Sequence, residues 1–409
     1  MNKLLVLTMV IASLLGSSAG ADEILVVGGE GANCLEDPQC INRLHPDIPM
    51  VARARPGQKI LLKTRNAGDL NLDPAAPPDP RMDDPQIGSV HPLTGPIHIE
   101  GAKAGDVLAI TLLDIEPGRW GETLITSIGF VTDRIPGPLH VLWDLDRHSA
   151  TTAGIPAVRI PNRSFPGVIT VLPGPAQHAA MLAREEALAE TGGAVMRPHS
   201  LYATPAAICG PEGTRKDECL RTIPPREHGG NMDIRYLGVG VTVYLPCQVD
   251  GCGLAVGDLH FAQGDGEVTG TAIEMDADVL LTTALIKDGP ALARGPHYEG
   301  PATLLDIPSR RFYATTGFPL KEQGEVPPDM LYLDSAKVAG LANLSKDVSL
   351  AARNALLEMI DYMVAEHGLT PEQAYLVASV AVDLRIGQLV DTPNVGVTAI
   401  LPLDIFATK

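Results

Sequence analysis

The sequence predicts a mainly β fold of the α+β class, with a helical hairpin near its C-terminus. Three features carry this. Short apolar runs rich in Val, Ile and Leu recur along the chain, bounded by turn residues. The 41 Gly and 35 Pro are scattered between those runs rather than clustered, as many turns between short strands require. Helical spacing is confined to three segments, two of them adjacent near the C-terminus. The chain has 409 residues, 45% apolar and 20% charged. That is ordinary globular composition with material for a large core, and it excludes general disorder.

The elements follow in order. "MNKLLVLTMVIASLLGSSAGADE" has Lys3, an apolar run from Leu4 to Leu15 and the small residues Ala19-Gly20-Ala21. This is the pattern of a secretory signal peptide over residues 1–21, with the mature chain at 22–409. The alternative is a retained anchor, which so short a run spans poorly. Residues 50–115 read as strands: "QKILLKTR" and "DVLAITLLDI" are announced by the turn signals "PGQ" and "KAGD". "DPAAPPDPRMDDPQ" (73–86) is a Pro- and Asp-rich loop. "ITVLPG" (169–174), "VTVYLPCQV" (241–249), "EMDADVLL" and "TALIKD" are further strands. "AQHAAMLAREEALAETGG" (176–193) is a helix stopped by Gly-Gly. Residues 345–368 form another, ended by Gly. "TPEQAYLVASVA" (370–381) follows, with Thr370 as N-cap and Pro371 in the first turn.

The six cysteines fall as close pairs, Cys34/Cys40, Cys209/Cys219 and Cys247/Cys252. In an exported chain that spacing predicts three local disulfides; six free thiols are the alternative. The chain is expected in the periplasm or secreted. The net charge of −18 disfavours nucleic acid and anionic membrane as partners.

One stretch concentrates chemistry. "AVGDLHFAQGDGEVTG" (255–270) places Asp258, His260, Gln263, Asp265 and Glu267 within ten positions. In an extended strand Asp258 and His260 point to one side, as metal ligands do. The residues alone fit equally a polar hairpin turning at Asp265-Gly266.

The stretch lies inside a longer block, "RTIPPREHGGNMDIRYLGVGVTVYLPCQVDGCGLAVGDLHFAQGDGEVTGTAIEM" (221–275), that closely resembles the central signature of the acetamidase/formamidase family. "LHPDIPMVARARPGQ" (44–58), "GSVHPLTGPIHIEGAKAGDVLAITLLDI" (88–115), "FPGVITVLPGP" (165–175) and residues 372–406 resemble its other blocks, in the family's order. The resemblance implies a β-sandwich-like fold, hydrolysis of a short-chain amide to a carboxylate and ammonia, and a homo-oligomer. The leader and the cysteine-bearing insert "AICGPEGTRKDEC" (207–219) depart from the pattern.

Amide hydrolysis needs an activated nucleophile, oxyanion stabilisation and an acid for the leaving nitrogen. No G-x-S-x-G elbow is present, and paired cysteines supply no nucleophile. A metal-activated water fits carboxylates grouped with a His. The expected ligands are Asp233, from "GGNMD", with Asp258 and His260. Mixed oxygen and nitrogen ligation suits zinc, with calcium or manganese as alternatives. Glu267 is the expected general base. His91, in "SVHPLTGPI", is a candidate proton donor or ligand. Gln263 and Asp265 are expected to bind substrate or to support the ligands. His45 and His199 are weaker candidates, and Glu227 and His228 are placed at the pocket rim. The remaining histidines read as structural or exposed. "ARNALLEMIDYMV" reads as core or subunit interface. Two further readings are a non-catalytic exported amide-binding protein on the same scaffold and a hydrolase of a cyclic or N-substituted amide.

Overall fold

The computed structural model describes residues 23–127, 129–192, 194–287, 295–321, 335–389 and 395–407. The leader expected over residues 1–21 lies outside them, as does Asp288 at the end of "TALIKD". Most strands join one hydrogen-bonded network, through which Val107–Leu124, Glu274–Ile286, Cys252–His260 and Phe165–Thr170 follow one another as neighbours. Every pair in that series is antiparallel.

The network divides into two leaves. Cys252–His260 and Glu274–Ile286 are joined through two residue pairs, Leu259–Met275 and His260–Glu274. Away from that corner Cys252–His260 pairs with Leu93–Ile99, while Glu274–Ile286 pairs with Lys59–Thr64. Ile60, Leu62, Ile97, Leu254, Val256, Val279 and Leu281 from the two leaves share one fully buried core. Each such aliphatic side chain contributes about 1.5–3 kcal/mol. This is the mainly β, sandwich-like arrangement the sequence predicts.

The strand Cys252–His260 is buried at all nine positions. Its small and aliphatic residues allow cover on both faces. Its last residues, Asp258 and His260, are therefore taken out of water by the fold itself.

The helices match their sequence signals. Pro175–Glu190 has Pro in its first turn. Val348–His367 is capped by the Asp347 side chain and ends at Gly368 with φ +66°, a backbone state that costs glycine little. Pro371–Ala381 carries a capping box between Thr370 and Gln373. The first of these last two helices buries Leu350, Leu356, Met359 and Met363, so the "ARNALLEMIDYMV" stripe is core. It packs on a small sheet of Phe312–Gly317, Gly396–Pro402 and Asp383–Gln388. Among the described residues no helix is long and apolar enough to cross a membrane. Disulfides join Cys34–Cys40, Cys209–Cys219 and Cys247–Cys252, the pairs that spacing predicts. The 73–86 segment is a loop holding one short 3-10 turn, Pro80–Asp83, capped by Asp79.

Candidate functional site

The corner where the two leaves meet holds a cluster of acids and histidines. Its backbone is set first. In the pairing of Phe165–Thr170 with Cys252–His260, Leu259 faces Pro166 and Gly257 faces Val168. Asp258 adopts φ +56° within that strand, a left-handed kink close to its end. The kink turns its carboxylate to within 3.5 Å of His260 Nε2. Asp233 and Glu267 also sit at positive φ, +48° and +42°. Such non-glycine residues cost energy and gather where surrounding structure over-determines them.

Gly167 makes room. A Cβ there would lie 2.6 Å from both Asp233 Oδ1 and Asp258 Oδ2 and 2.9 Å from His260 Cε1. Its carbonyl also receives the Met232 N–H at 3.0 Å, fixing the turn that carries Asp233. The 261–270 segment, which carries Glu267, is docked on the C-terminal elements. Gly264 N–H donates to Ser379 O at 2.8 Å, and Thr269 N–H donates to Ser379 Oγ at 3.1 Å. The helical hairpin thus positions the site loop.

His260 is the hub. Its Nε2 lies 3.1 Å from Glu274 Oε2, 3.5 Å from Asp258 Oδ2 and 3.9 Å from Asp233 Oδ1. One donor atom each from His260, Glu267 and Glu274 lies within 4.8 Å of the others, and the same holds for Asp233, Asp258 and His260. His260 Nδ1 meets Gln263 Oε1 at 2.8 Å, and Phe165 packs edge-on against the ring. His91 stands beyond Asp258, with Nε2 3.9 Å from Asp258 Oδ1. Asn231 Nδ2 donates to Asp233 Oδ2 at 2.6 Å. The Asp258, His260 and Glu274 side chains are 1–4% exposed, whereas Asp233 retains 17%. The cage therefore opens on the side of Asp233.

The electrostatics are those of a cluster that could hold a cation. Asp233 Oδ1, Asp258 Oδ1 and Glu274 Oε2 are buried without a hydrogen-bond partner among the described residues. Burial, reinforced by neighbouring carboxylates, raises Asp233 and Glu274 to about 7 and Glu267 well above its ordinary value. Burial opposes the charge of Asp258 too, but His91 and His260 beside it hold it low. Desolvation works against a proton on His260, yet Glu274 and Asp258 raise it well above an ordinary histidine. Burial pushes His91 down. Crowded carboxylates with orphan oxygens, one imidazole and a glycine floor are what a divalent cation needs.

The expected residues Asp233, Asp258, His260, Glu267 and His91 thus come together. Gln263 lies behind His260 as its support. Asp265 is engaged elsewhere, accepting the Tyr236 hydroxyl at 2.5 Å. Glu227 is paired with Arg184, and His228 is fully buried against Thr170. His45 sits near Glu218 and Asp47, and His199 near Asp84. Sequence reading missed Glu274, Gly167 and Asn231. A glutamate opening an apolar strand was the available signal for Glu274; for Gly167 no local signal exists, because its role is set by what faces it.

Comparison with known proteins gives a consistent family. The model of the acetamidase/formamidase family matches residues 31–408. A formamidase of Methylophilus methylotrophus is 33% identical over 91% of this chain and 90% of its own length. An acetamidase of Mycolicibacterium smegmatis is 32% identical over 82% of this chain and 84% of its own. Among solved structures, a gamma lactamase from Delftia acidovorans superposes with a TM-score of 0.81 at 31% identity, covering 94% of each chain.

Proposed function

The chain belongs to the acetamidase/formamidase family, and from that premise we propose that it is an amidase hydrolysing the C–N bond of a short-chain amide. The observation that carries the reading is the set of orphaned buried carboxylate oxygens around His260. Asp233, Asp258 and His260 would hold a divalent metal, zinc by the donor set, and Glu274 completes the wall behind them. When bound, the metal lowers the pKa of a coordinated water and polarises the amide carbonyl.

The chain's own residues do the rest. Glu267 stands on the docked loop with its carboxylate in the cage. Once a cation offsets the neighbouring carboxylates it is ionised, and it takes a proton from the attacking water while the water oxygen bonds to the carbonyl carbon. The C–N bond then breaks, and Glu267 returns that proton to the departing nitrogen. The products are a carboxylic acid and ammonia, which leave as carboxylate and ammonium after proton transfer, with the amide and water consumed one for one. Gln263 keeps His260 oriented, and the buried walls exclude bulk water.

A second reading concerns the substrate. The likeness to a gamma lactamase supports a cyclic amide, in which the same bond breaks but the amine stays tethered and no ammonia leaves. A panel of linear amides and a γ-lactam separates the two, scored by ammonia release and by ring opening, with and without chelator. Turnover of linear amides that chelation removes supports the first reading. Ring opening without ammonia supports the second. Full activity in metal-free protein overturns the metal-dependent mechanism, and binding without turnover of any amide favours a carrier.

We place this activity outside the cytoplasm. The leader-like residues 1–21 and the three disulfides support export. Intact mass of protein from its native host should begin at Asp22, and non-reducing peptide mapping should return the three pairs. Self-association, which the family implies, is read by light scattering.

A further inference from the structure

The two histidines of the cage are held through the same ring atom by different partners. His260 Nδ1 meets Gln263 Oε1 at 2.8 Å. The amide nitrogen of Gln263 is committed to the Asp233 carbonyl at 2.8 Å. The group facing His260 is therefore an acceptor, and Nδ1 carries the hydrogen. In the neutral ring the lone pair is then on Nε2, facing the carboxylates, which is the tautomer a metal ligand needs.

His91 meets the reverse arrangement. Thr222 Oγ1 accepts the His91 backbone N–H at 2.7 Å. The same oxygen lies 3.4 Å from His91 Nδ1. Thr222 is fully buried, so its hydroxyl hydrogen must find an acceptor. Among the described residues the acceptor its hydroxyl reaches is Nδ1 of His91. An accepting Nδ1 leaves the ring hydrogen on Nε2, the nitrogen that faces Asp258 Oδ1.

The backbone that carries the ring is itself held in place. Arg221 Nη2, one residue before Thr222, donates to the carbonyls of Gln86 and Ile87 at 2.9 Å each. Asn42 Nδ2 donates to Ser89 O at 3.2 Å. The segment leading to His91 is thus tied at three carbonyls.

We propose that Thr222 is a positioning residue that fixes His91 as its Nε2–H tautomer, so that His91 serves as a hydrogen-bond donor to the substrate carbonyl oxygen and not as a metal ligand. The hydrogen stays on the ring, and charge building on the oxygen is stabilised by the N–H, as in an oxyanion hole. Gln263 and Thr222 thereby give two histidines of one cage opposite tautomers and opposite tasks. The role at the carbonyl rests on the amidase reading; the tautomer does not.

Nitrogen NMR of the metal-loaded full-length protein, labelled with 15N-histidine, tests this directly. The expected result is Nδ1–H on His260 and Nε2–H on His91. Thr222→Val should lose the defined His91 tautomer and retain full metal content. Its kcat should fall about 10–100-fold with KM little changed. Thr222→Ser, which restores the hydroxyl, should recover most of the turnover. His91→Gln should still bind metal stoichiometrically. An Nδ1–H tautomer at His91, or loss of metal in His91→Gln, overturns the proposal. If no amide is turned over, the tautomers and metal contents still decide it, and only the functional reading fails. If Thr222→Val does not fold, the wild-type spectrum and the serine variant decide it.

Discussion

Two acid-rich regions of this molecule come to opposite ends. Beside and within the 73–86 loop, Asp69 and Asp79 are met by donors. Asp69 accepts the Cys34 N–H at 2.9 Å and Arg81 Nη1 at 2.5 Å. Asp79 accepts Arg81 Nη2 at 2.6 Å, and that bond holds it below its ordinary value. In the cage at the sheet corner, Asp233, Asp258, Glu267 and Glu274 have among the described residues no Lys or Arg ion pair, and three carboxylate oxygens are orphaned. The difference teaches what a buried acid is for. A carboxylate that a guanidinium already satisfies has no further valence and serves the fold. One buried without a cation costs stability, and it marks a candidate binding site.

The comparison breaks first at Asp233. Asp233→Asn keeps the size and tolerates the left-handed backbone, but removes one proposed ligand. Metal content should collapse and turnover fall by more than about 10³-fold. The stability of the metal-free protein should stay within about 1 kcal/mol of wild type or rise, because like charges are relieved. Elemental analysis and chemical denaturation read both; a large loss of stability would make Asp233 a structural acid like Asp69.

Glu267→Gln comes next. Turnover should fall by about 10²–10⁴-fold, the usual worth of a general base, with metal still bound. If metal leaves with the charge, Glu267 is a ligand and the division of labour in the cage is different.

The opposite result is expected at the loop. Arg81→Ala leaves Asp69, whose side chain is 2% exposed, with the Cys34 N–H and the more distant Arg65 guanidinium at 3.9 Å. The protein should lose about 3 kcal/mol, measured by urea denaturation, while kcat/KM of the folded enzyme is unchanged. A drop in kcat/KM would join the two regions functionally.

The smallest effect tests a buried group that is neither paired to a charge nor in the cage. Burial holds His228 neutral, lowering it to about 3. Between its unfolded value near 6.5 and that folded value, the unfolded chain binds a proton that the folded chain refuses. Stability is therefore present above 6.5 and is lost as pH falls, by up to about 1.4 kcal/mol per pH unit from this residue. Denaturation midpoints at pH 7 and pH 5 should differ by less in His228→Gln than in the wild type; an identical slope would show that other groups carry the acid sensitivity.

The helices were legible because their signals are local. Thr370, Pro371 and Gly368 act within one turn of the helix ends they mark. The disulfides were legible for the same reason, since short loops close on themselves. The 255–270 stretch was legible as a concentration of donors, though a polar hairpin reads alike until the strand is seen to be buried along its whole length. Glu274 and Thr222 were not legible. Glu274 joins the cage because register sets it opposite His260. Thr222 meets His91 across 131 residues of chain. Asp265 shows the converse: it is adjacent in sequence to the cage residues, yet it serves Tyr236.

The sequence by itself therefore determined the class of fold, the caps, the disulfide pairs and the stretch from which the site is drawn. Each depends on propensity, spacing or composition over a few residues, which the chain carries whatever its partners do. Only the tertiary structure decided which acids lose their water, which oxygens are left without donors and which nitrogen of each histidine bears the hydrogen. Those depend on desolvation and on hydrogen-bond partners brought in from distant segments, and neither exists until the two leaves close on one another.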